Sequence, residues 1–267
     1  MKRILITNDD GIYAEGIRAL AEKFRASGYE VLAVAPDCER SASGHSMTMT
    51  RPLHLNKMDK RWYTEKFDAY SCDGTPTDCV IMGVDVLNFK PDILLSGINC
   101  GPNLGDDLTY SGTACAAMEG LIFGYPSMAI SLVCGSSDPV KHFDTAADAT
   151  LAIVRLLEKY PMPADVMYNI NVPNESARDV AGVLFTRRGM RRYLDKVTVV
   201  KTPFGGETYW LGGKIYDEMD NGTDVRAIAD KYISITPVHM EMTDFDAMRS
   251  AESTALAEDV SSALKKE

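Results

Sequence analysis

The chain has 267 residues, 45% of them hydrophobic, which suffices for a substantial core in one large domain or one domain with an appendage. Lys plus Arg total 28 against 38 Asp plus Glu, and the net charge of −10 argues against an extended groove for a polyanion such as DNA. A small anionic substrate fits that balance, because a bound cation, helix N-termini or a few basic side chains can supply local positive potential.

Only Ile4 to Thr7 separate the first three residues from Asn8-Asp9-Asp10, too short a stretch for a secretory leader, so the N-terminus is expected to begin the fold. Ile4-Leu5-Ile6-Thr7 reads as a buried strand, and Ile17, Leu20, Ala21 and Phe24 recur at helical spacing. Gly28 closes that helix, and Val31 to Ala35 reads as a second strand, stopped by Pro36-Asp37. The unit repeats with a helix near Pro76 to Val84, the strand Ile93 to Ser96, a helix near Thr113 to Phe123 and the strand Ser127 to Ile130. The most apolar stretch, about Thr113 to Cys134, is interrupted by Glu119 and Pro126 and reads as that helix and strand, not as a membrane span. A helix from about Lys141 to Lys159 and a strand from Val166 to Val172 complete an α/β pattern, which predicts a doubly wound, mostly parallel sheet over residues 1–175.

Beyond residue 175, Val197 to Val200, Thr208 to Leu211 and Tyr232 to Thr236 read as strands among Gly-Gly turns, a β-rich appendage over 176–240. Its strands are too few to bury Tyr209 and Trp210, which predicts exchange between protomers. Residues 241–267 read as a terminal surface helix. Six cysteines without CxxC spacing are expected to be reduced thiols of a cytoplasmic protein.

In an open α/β sheet, ligands bind outside the carboxyl ends of the strands. Four polar loops are predicted there: Asn8 to Gly11, Asp37 to Ser46, Gly97 to Asn99, and Tyr110 to Thr113. Adjacent carboxylates repel unless a cation intervenes, so Asp9-Asp10 suits a hard divalent ion, with Ser41 and Asn99 able to complete its shell; a solvated turn is the plainer reading. Glycines at 97, 101 and 105, with Asn99 and Asn103 between them, read either as a cradle of amides for phosphate or as a Gly-rich surface loop. Ser111-Gly112-Thr113 opens a helix and suits both N-capping and phosphate binding. His45, after Gly44, reads as a substrate contact or a structural hydrogen-bonder. Asp73 to Asp78 reads as a turn in which Thr75 or Thr77 caps the next helix, with lining of the pocket as its other reading.

Thr7 to Ile12, Ala35-Pro36-Asp37 with Glu39-Arg40-Ser41, Gly44-His45-Ser46, Asp73 to Asp78 and Ser96 to Asn99 together resemble the stationary-phase survival protein SurE family. The resemblance continues through Gly101, Asn103, Gly105-Asp106, Tyr110 to Thr113 and Ala117 to Gly120, and resumes at Thr223-Asp224 and Ser234 to Pro237. It implies a Rossmann-like core, a swapped C-terminal segment building homodimers or homotetramers, and hydrolysis of nucleoside 5′- and often 3′-monophosphates, with short polyphosphate a further substrate. It also implies one manganese or magnesium ion per subunit on Asp9, Asp10, Ser41 and Asn99. Asn8, Gly44, His45, Asn103, Ser111, Gly112 and Thr113 would then serve the phosphate or substrate, and Asp9 and Asp10 the catalysis. Cys100 stands where His or Arg is common, and Ala114-Cys115 where Val-Gly is usual.

Two competing readings are testable. A phospho-aspartate enzyme needs a nucleophilic Asp two residues before Asp73, and position 71 is serine. A nucleotide-sensing module without turnover would leave the acid pair unused, and no GxGxxG or GxxxxGK[ST] loop supports one.

Overall fold

A computed structural model of the chain describes residues 2–59, 67–135, 137–194, 197–252 and 254–265. The strands are β1 (Arg3–Thr7), β2 (Glu30–Pro36), β3 (Leu55–Lys57), β4 (Asp68–Cys72), β5 (Ile93–Cys100), β6 (Ser127–Val133), β7 (Val166–Pro173), β8 (Gly182–Phe185), β9 (Arg191–Leu194), β10 (Val197–Lys201), β11 (Glu207–Leu211), β12 (Lys214–Asp217) and β13 (Tyr232–His239). The helices are α1 (Glu15–Ala26), α2 (Pro76–Ile81), α3 (Gly112–Ile122), α4 (Phe143–Leu156), α5 (Asp224–Ala229), α6 (Phe245–Glu252) and α7 (Leu256–Leu264).

Ile4 and Ile6 of β1 point into a core shared with Ile17, Leu20 and Phe24 of α1 and Ala147 and Leu151 of α4. Leu5 points the other way, to Cys79 and Val80 of α2 and Ala114 and Ala117 of α3. That alternation is why Ile4, Leu5 and Ile6 are apolar in succession: the strand is buried on both faces of a doubly wound sheet. β1 pairs in parallel with β2 and β5, and β5 with β6 and β6 with β7 continue the parallel run. Thr75 caps α2 through a reciprocal bond pair with Asp78, as Asp73 to Asp78 predicts. A π turn (Met82–Val86) then follows, where the sequence predicts continued α-helix.

Three expectations about extent need correction. β5 does not stop at Ser96 but runs to Cys100, with a register shift against β6 between Ser96 and Asn99. Gly97 reads locally as a breaker, yet here it is a close approach, since a Cβ on it would lie 2.3 Å from the Ile130 carbonyl oxygen. The sheet also does not end near residue 175. β13 pairs antiparallel with β7, β8 pairs in parallel with β13, and the nine-stranded order is β3-β4-β2-β1-β5-β6-β7-β13-β8. Ile233 and Ile235 thus join the core that holds Ile170 and Val172, so Tyr232 to Thr236 belongs to the sheet, not to an appendage.

What projects is a pair of two-stranded ribbons, β9 with β12 and β10 with β11. The predicted single terminal helix is two, α6 and α7, with no buried residue in either; residues 253, 266 and 267 of that prediction lie outside the described residues. Among the described residues no helix is long and apolar enough to cross a membrane.

Candidate active site

The polypeptide leaves β1 through a tight loop that its first residue builds. The Asn8 side-chain nitrogen donates to the Gly11 carbonyl (2.9 Å), and the Gly11 N–H donates to Asn8 Oδ1 (3.2 Å). Asn8 is therefore buried behind the loop, with Asp9 and Asp10 held across its crest. The next crossover is tied to it, because the Arg40 N–H donates to the Asp9 carbonyl (2.8 Å).

Asp9 is buried, and the Thr113 hydroxyl donates to its Oδ1. Burial pushes its carboxyl up to about 6, the Thr113 bond opposes this, and the charge of Asp10 adds to it. Asp10 accepts the Cys100 N–H (2.8 Å). Its pKa is also raised by burial, against the Cys100 bond and with the charge of Glu39 adding. Two carboxylates both held above their ordinary range are deficient in positive charge, and a bound cation would reverse both shifts.

The donors around them suit such a cation. Asp9, Asp10, Ser41 and Asn99 line one cavity of about 400 Å³ at the carboxyl edge of the sheet. Asn99 Nδ2 donates to the Gly101 carbonyl (2.9 Å), which leaves the side-chain oxygen as the group turned to a ligand by elimination. The Ser41 hydroxyl donates to Glu39 Oε1 (2.5 Å) and keeps its lone pairs. Two carboxylates, a hydroxyl and an amide oxygen form an all-oxygen set, the kind that magnesium and manganese accept. Among the described residues no group of three or more His, Cys, Asp or Glu side chains could hold a metal.

The N-terminus of α3 presses on Asp9 from the other side. A Cβ on Gly112 would lie 2.7 Å from Ser43 Oγ and 2.9 Å from Asp9 Cβ, so only glycine lets the helix come this close. Ser111 Oγ accepts the Ala114 N–H (3.0 Å) as N-cap, the capping role the sequence predicts, and Ser111 also lines the cavity.

The glycine-rich stretch does something different from cradling an anion. The Gly101 N–H donates to the Leu132 carbonyl (2.9 Å), and the Gly105 N–H donates to Asp224 Oδ2 (2.9 Å), so these amides hold the loop. Asn103 reaches the cavity wall while its N–H donates to Asn171 Oδ1 and its Nδ2 to Ser131 Oγ. The Gly44 N–H donates to the Tyr110 carbonyl (3.1 Å), and His45 Nε2 lies 2.9 Å from Glu119 Oε2 on α3. Asp9, Asp10, Ser41, Asn99, Asn103 and Ser111 line this cavity, whereas Gly44, His45, Gly112 and Thr113 do not.

Glu39, Asp107, Tyr110 and Tyr193 also line the cavity, and sequence reasoning named none of them as site residues. Glu39 and Tyr110 lay within the polar loops predicted at this edge, whereas Asp107 stood in no predicted loop. Tyr193 carried no readable signal, since β9 was not among the strands read from the sequence. Its hydroxyl donates to Asp107 Oδ1 (2.7 Å), and burial followed by that bond pushes it up to about 12. Arg191, buried on the same strand, forks onto Asp217 (2.7 and 2.7 Å) and reaches Asp107 (3.1 Å). A larger cavity of about 750 Å³ adjoins the first and shares Asp107, Tyr110 and Tyr193 with it.

Residues 4–195 match the family model described as Survival protein SurE. A protein of Thermosynechococcus vestitus named 5′-nucleotidase SurE is 45% identical over 247 residues, covering 90% of this chain and 92% of that one. A Stenotrophomonas maltophilia protein of the same name is 45% identical over 254 residues, covering 94% and 95%. The crystal structure of the SurE protein from Aquifex aeolicus superposes with a TM-score of 0.78 at 39% identity, covering 93% of this chain and 97% of that one.

Proposed function

This chain belongs to the SurE family, and from that premise we propose that it is a 5′-nucleotidase, releasing phosphate from nucleoside 5′-monophosphates with one divalent ion held by Asp9, Asp10, Ser41 and Asn99. The observation that carries the reading is the convergence of these four oxygen donors, from the loops after β1 and β2 and from the end of β5, on one cavity beside the N-terminus of α3.

Manganese or magnesium bound there supplies Lewis-acid charge to the phosphoryl oxygens. The chain's own groups do the rest. Asp9, oriented by the Thr113 hydroxyl, accepts a proton from the attacking water. Ser111 and the positive end of α3 face the phosphate, where charge spreads over its oxygens during transfer. Asn103 shapes the wall through its bonds to Ser131 and Asn171. The adjoining cavity between Tyr110 and Tyr193 is the space for the nucleoside. 3′-Monophosphates and short polyphosphate are proposed as further substrates of the same site. The six cysteines are free thiols, the state a cytoplasm maintains, and the cytoplasm is the proposed compartment.

The test is phosphate release from a panel of 5′- and 3′-nucleoside monophosphates and tripolyphosphate, with Mn²⁺, with Mg²⁺ and with chelator. Release that depends on the ion and collapses in Asp9→Asn is expected. Nucleotide binding without turnover would favour a sensor, and near-normal turnover in Asp9→Asn would remove the proposed role of that carboxylate.

A further inference from the structure

Cys100 and Cys134 end neighbouring strands: Cys100 is the last residue of β5, and Cys134 directly follows β6. Their sulfurs lie 3.4 Å apart. Cys100 is half-buried and lines the cavity, whereas Cys134 is 9% exposed just behind it. A disulfide needs a sulfur separation of about 2.05 Å, so closure must draw the two sulfurs closer together. Cys100 is also the residue whose N–H holds Asp10 (2.8 Å), and it follows Asn99 directly. Any displacement of residue 100 therefore reaches two of the cavity's donors. Lys141 hydrogen-bonds the Cys100 sulfur.

We propose that Cys100 and Cys134 form a reversible redox pair, closed to a disulfide by a hydroperoxide, and that closure draws residue 100 off Asp10 and weakens cation binding in the cavity. The first half stands on the sulfur geometry alone; the second rests on the cation site proposed above.

The chemistry balances as a two-electron oxidation. The Cys100 thiolate attacks the peroxide, an S–O bond forms as the O–O bond breaks, and the departing oxygen takes up a proton. Cys134 then attacks the Cys100 sulfur, the S–S bond forms as the S–O bond breaks, and a second water leaves with the Cys134 proton. Two thiols are oxidised and one hydroperoxide is reduced. Exchange with a dithiol reverses the bond. Cys72 and Cys79, which also contact each other, are both fully buried and serve as an internal control for access.

The full-length reduced protein is treated with dilute hydrogen peroxide, alkylated and peptide-mapped. A Cys100–Cys134 cross-link lighter by two hydrogen atoms, with Cys72 and Cys79 alkylated only after denaturation, is the expected result. Absence of that cross-link overturns the proposal. Mn²⁺ binding, read by electron paramagnetic resonance, should weaken by about tenfold or more in protein oxidised with the dithiol oxidant diamide and recover with dithiothreitol. Under the same diamide treatment Cys134→Ala should keep its Mn²⁺ affinity and its hydrolysis. Unchanged Mn²⁺ affinity in cross-linked wild type overturns the coupling to the cavity. A reduced enzyme that binds Mn²⁺ but hydrolyses no nucleotide would count against the proposed activity, while the cross-link and the loss of Mn²⁺ affinity would still support the thiol pair.

Discussion

Asp9 holds its charge at a cost that the surrounding residues do not remove. Its folded pKa of about 6 stands above the ordinary value of 3.8, so between those values the folded chain binds the proton more tightly than the unfolded chain. Stability from this group is therefore fully present below the unfolded value and falls as pH rises through about 6, by roughly 3 kcal/mol in total. Metal-free Asp9→Asn should accordingly melt several degrees above metal-free wild type at pH 7.5 and lose that advantage near pH 4, by differential scanning fluorimetry. Added Mn²⁺ should raise the melting temperature of wild type far more than that of the variant. An Asp9→Asn protein that melts lower at pH 7.5 would contradict this account of the burial. Thr113 makes a second prediction: Thr113→Val removes the hydroxyl that orients Asp9 and should lower kcat about tenfold with KM little changed, while Thr113→Ser restores it. Both aspartates were legible as an acid pair at a strand end. Thr113 was legible only as a phosphate contact, because nothing local says that its hydroxyl meets a carboxylate 104 residues earlier.

At the scale of elements, α3 shows packing overruling propensity. Alanine in a helix is favoured over glycine by about 1 kcal/mol, so Gly112→Ala would stabilise an isolated helix. Here the added methyl meets Asp9 Cβ and Ser43 Oγ, and the expected outcome is at least about a tenfold loss of kcat/KM, measured with AMP, as the helix end is pushed off the acid pair. Activity at wild-type level would show that the close approach is dispensable. The β9–β12 ribbon is anchored by one buried cation. Arg191→Met leaves Asp107 and Asp217, both largely buried, without their partner, and should cost about 3 kcal/mol of stability by denaturant titration. It should also raise KM, since Tyr193 and Asp107 lose their anchor at the cavity wall. The helices and parallel strands were readable because each carries its own period. β9 and β12 were not, being short ribbons whose stability comes from the Arg191 fork and their mutual pairing.

For the whole molecule, the exposed surface points to assembly. The β10–β11 hairpin is exposed at every position, with Trp210 at 69%, Leu211 at 85% and the turn residue Phe204 at 99%. A two-stranded ribbon of this kind is marginal by itself, and a contiguous apolar surface on it calls for cover. Removal of the hairpin, or Trp210→Lys, should lower the mass found by light scattering to that of a smaller assembly. An unchanged mass would count against the hairpin as a subunit contact. The long return of β13 to β7 ties the C-terminal third to the core, so loss of the hairpin should leave the melting temperature of the sheet largely intact.

The amino-acid order alone determined the alternating strands and helices, the parallel run of the sheet and the polar loops at its carboxyl edge, because apolar period, glycines and caps act within a few residues. Only the tertiary structure decided that β13 enters the sheet beside β7, that Tyr193 returns to the cavity of the acid pair with Arg191 gripping Asp107 behind it, that Gly101 and Gly105 brace a loop instead of cradling an anion, and that Cys100 meets Cys134. The physical reason is common to all four. Each is a meeting of groups far apart along the chain, chosen by which surfaces remain unburied once the local elements have formed, and local spacing carries no record of that choice.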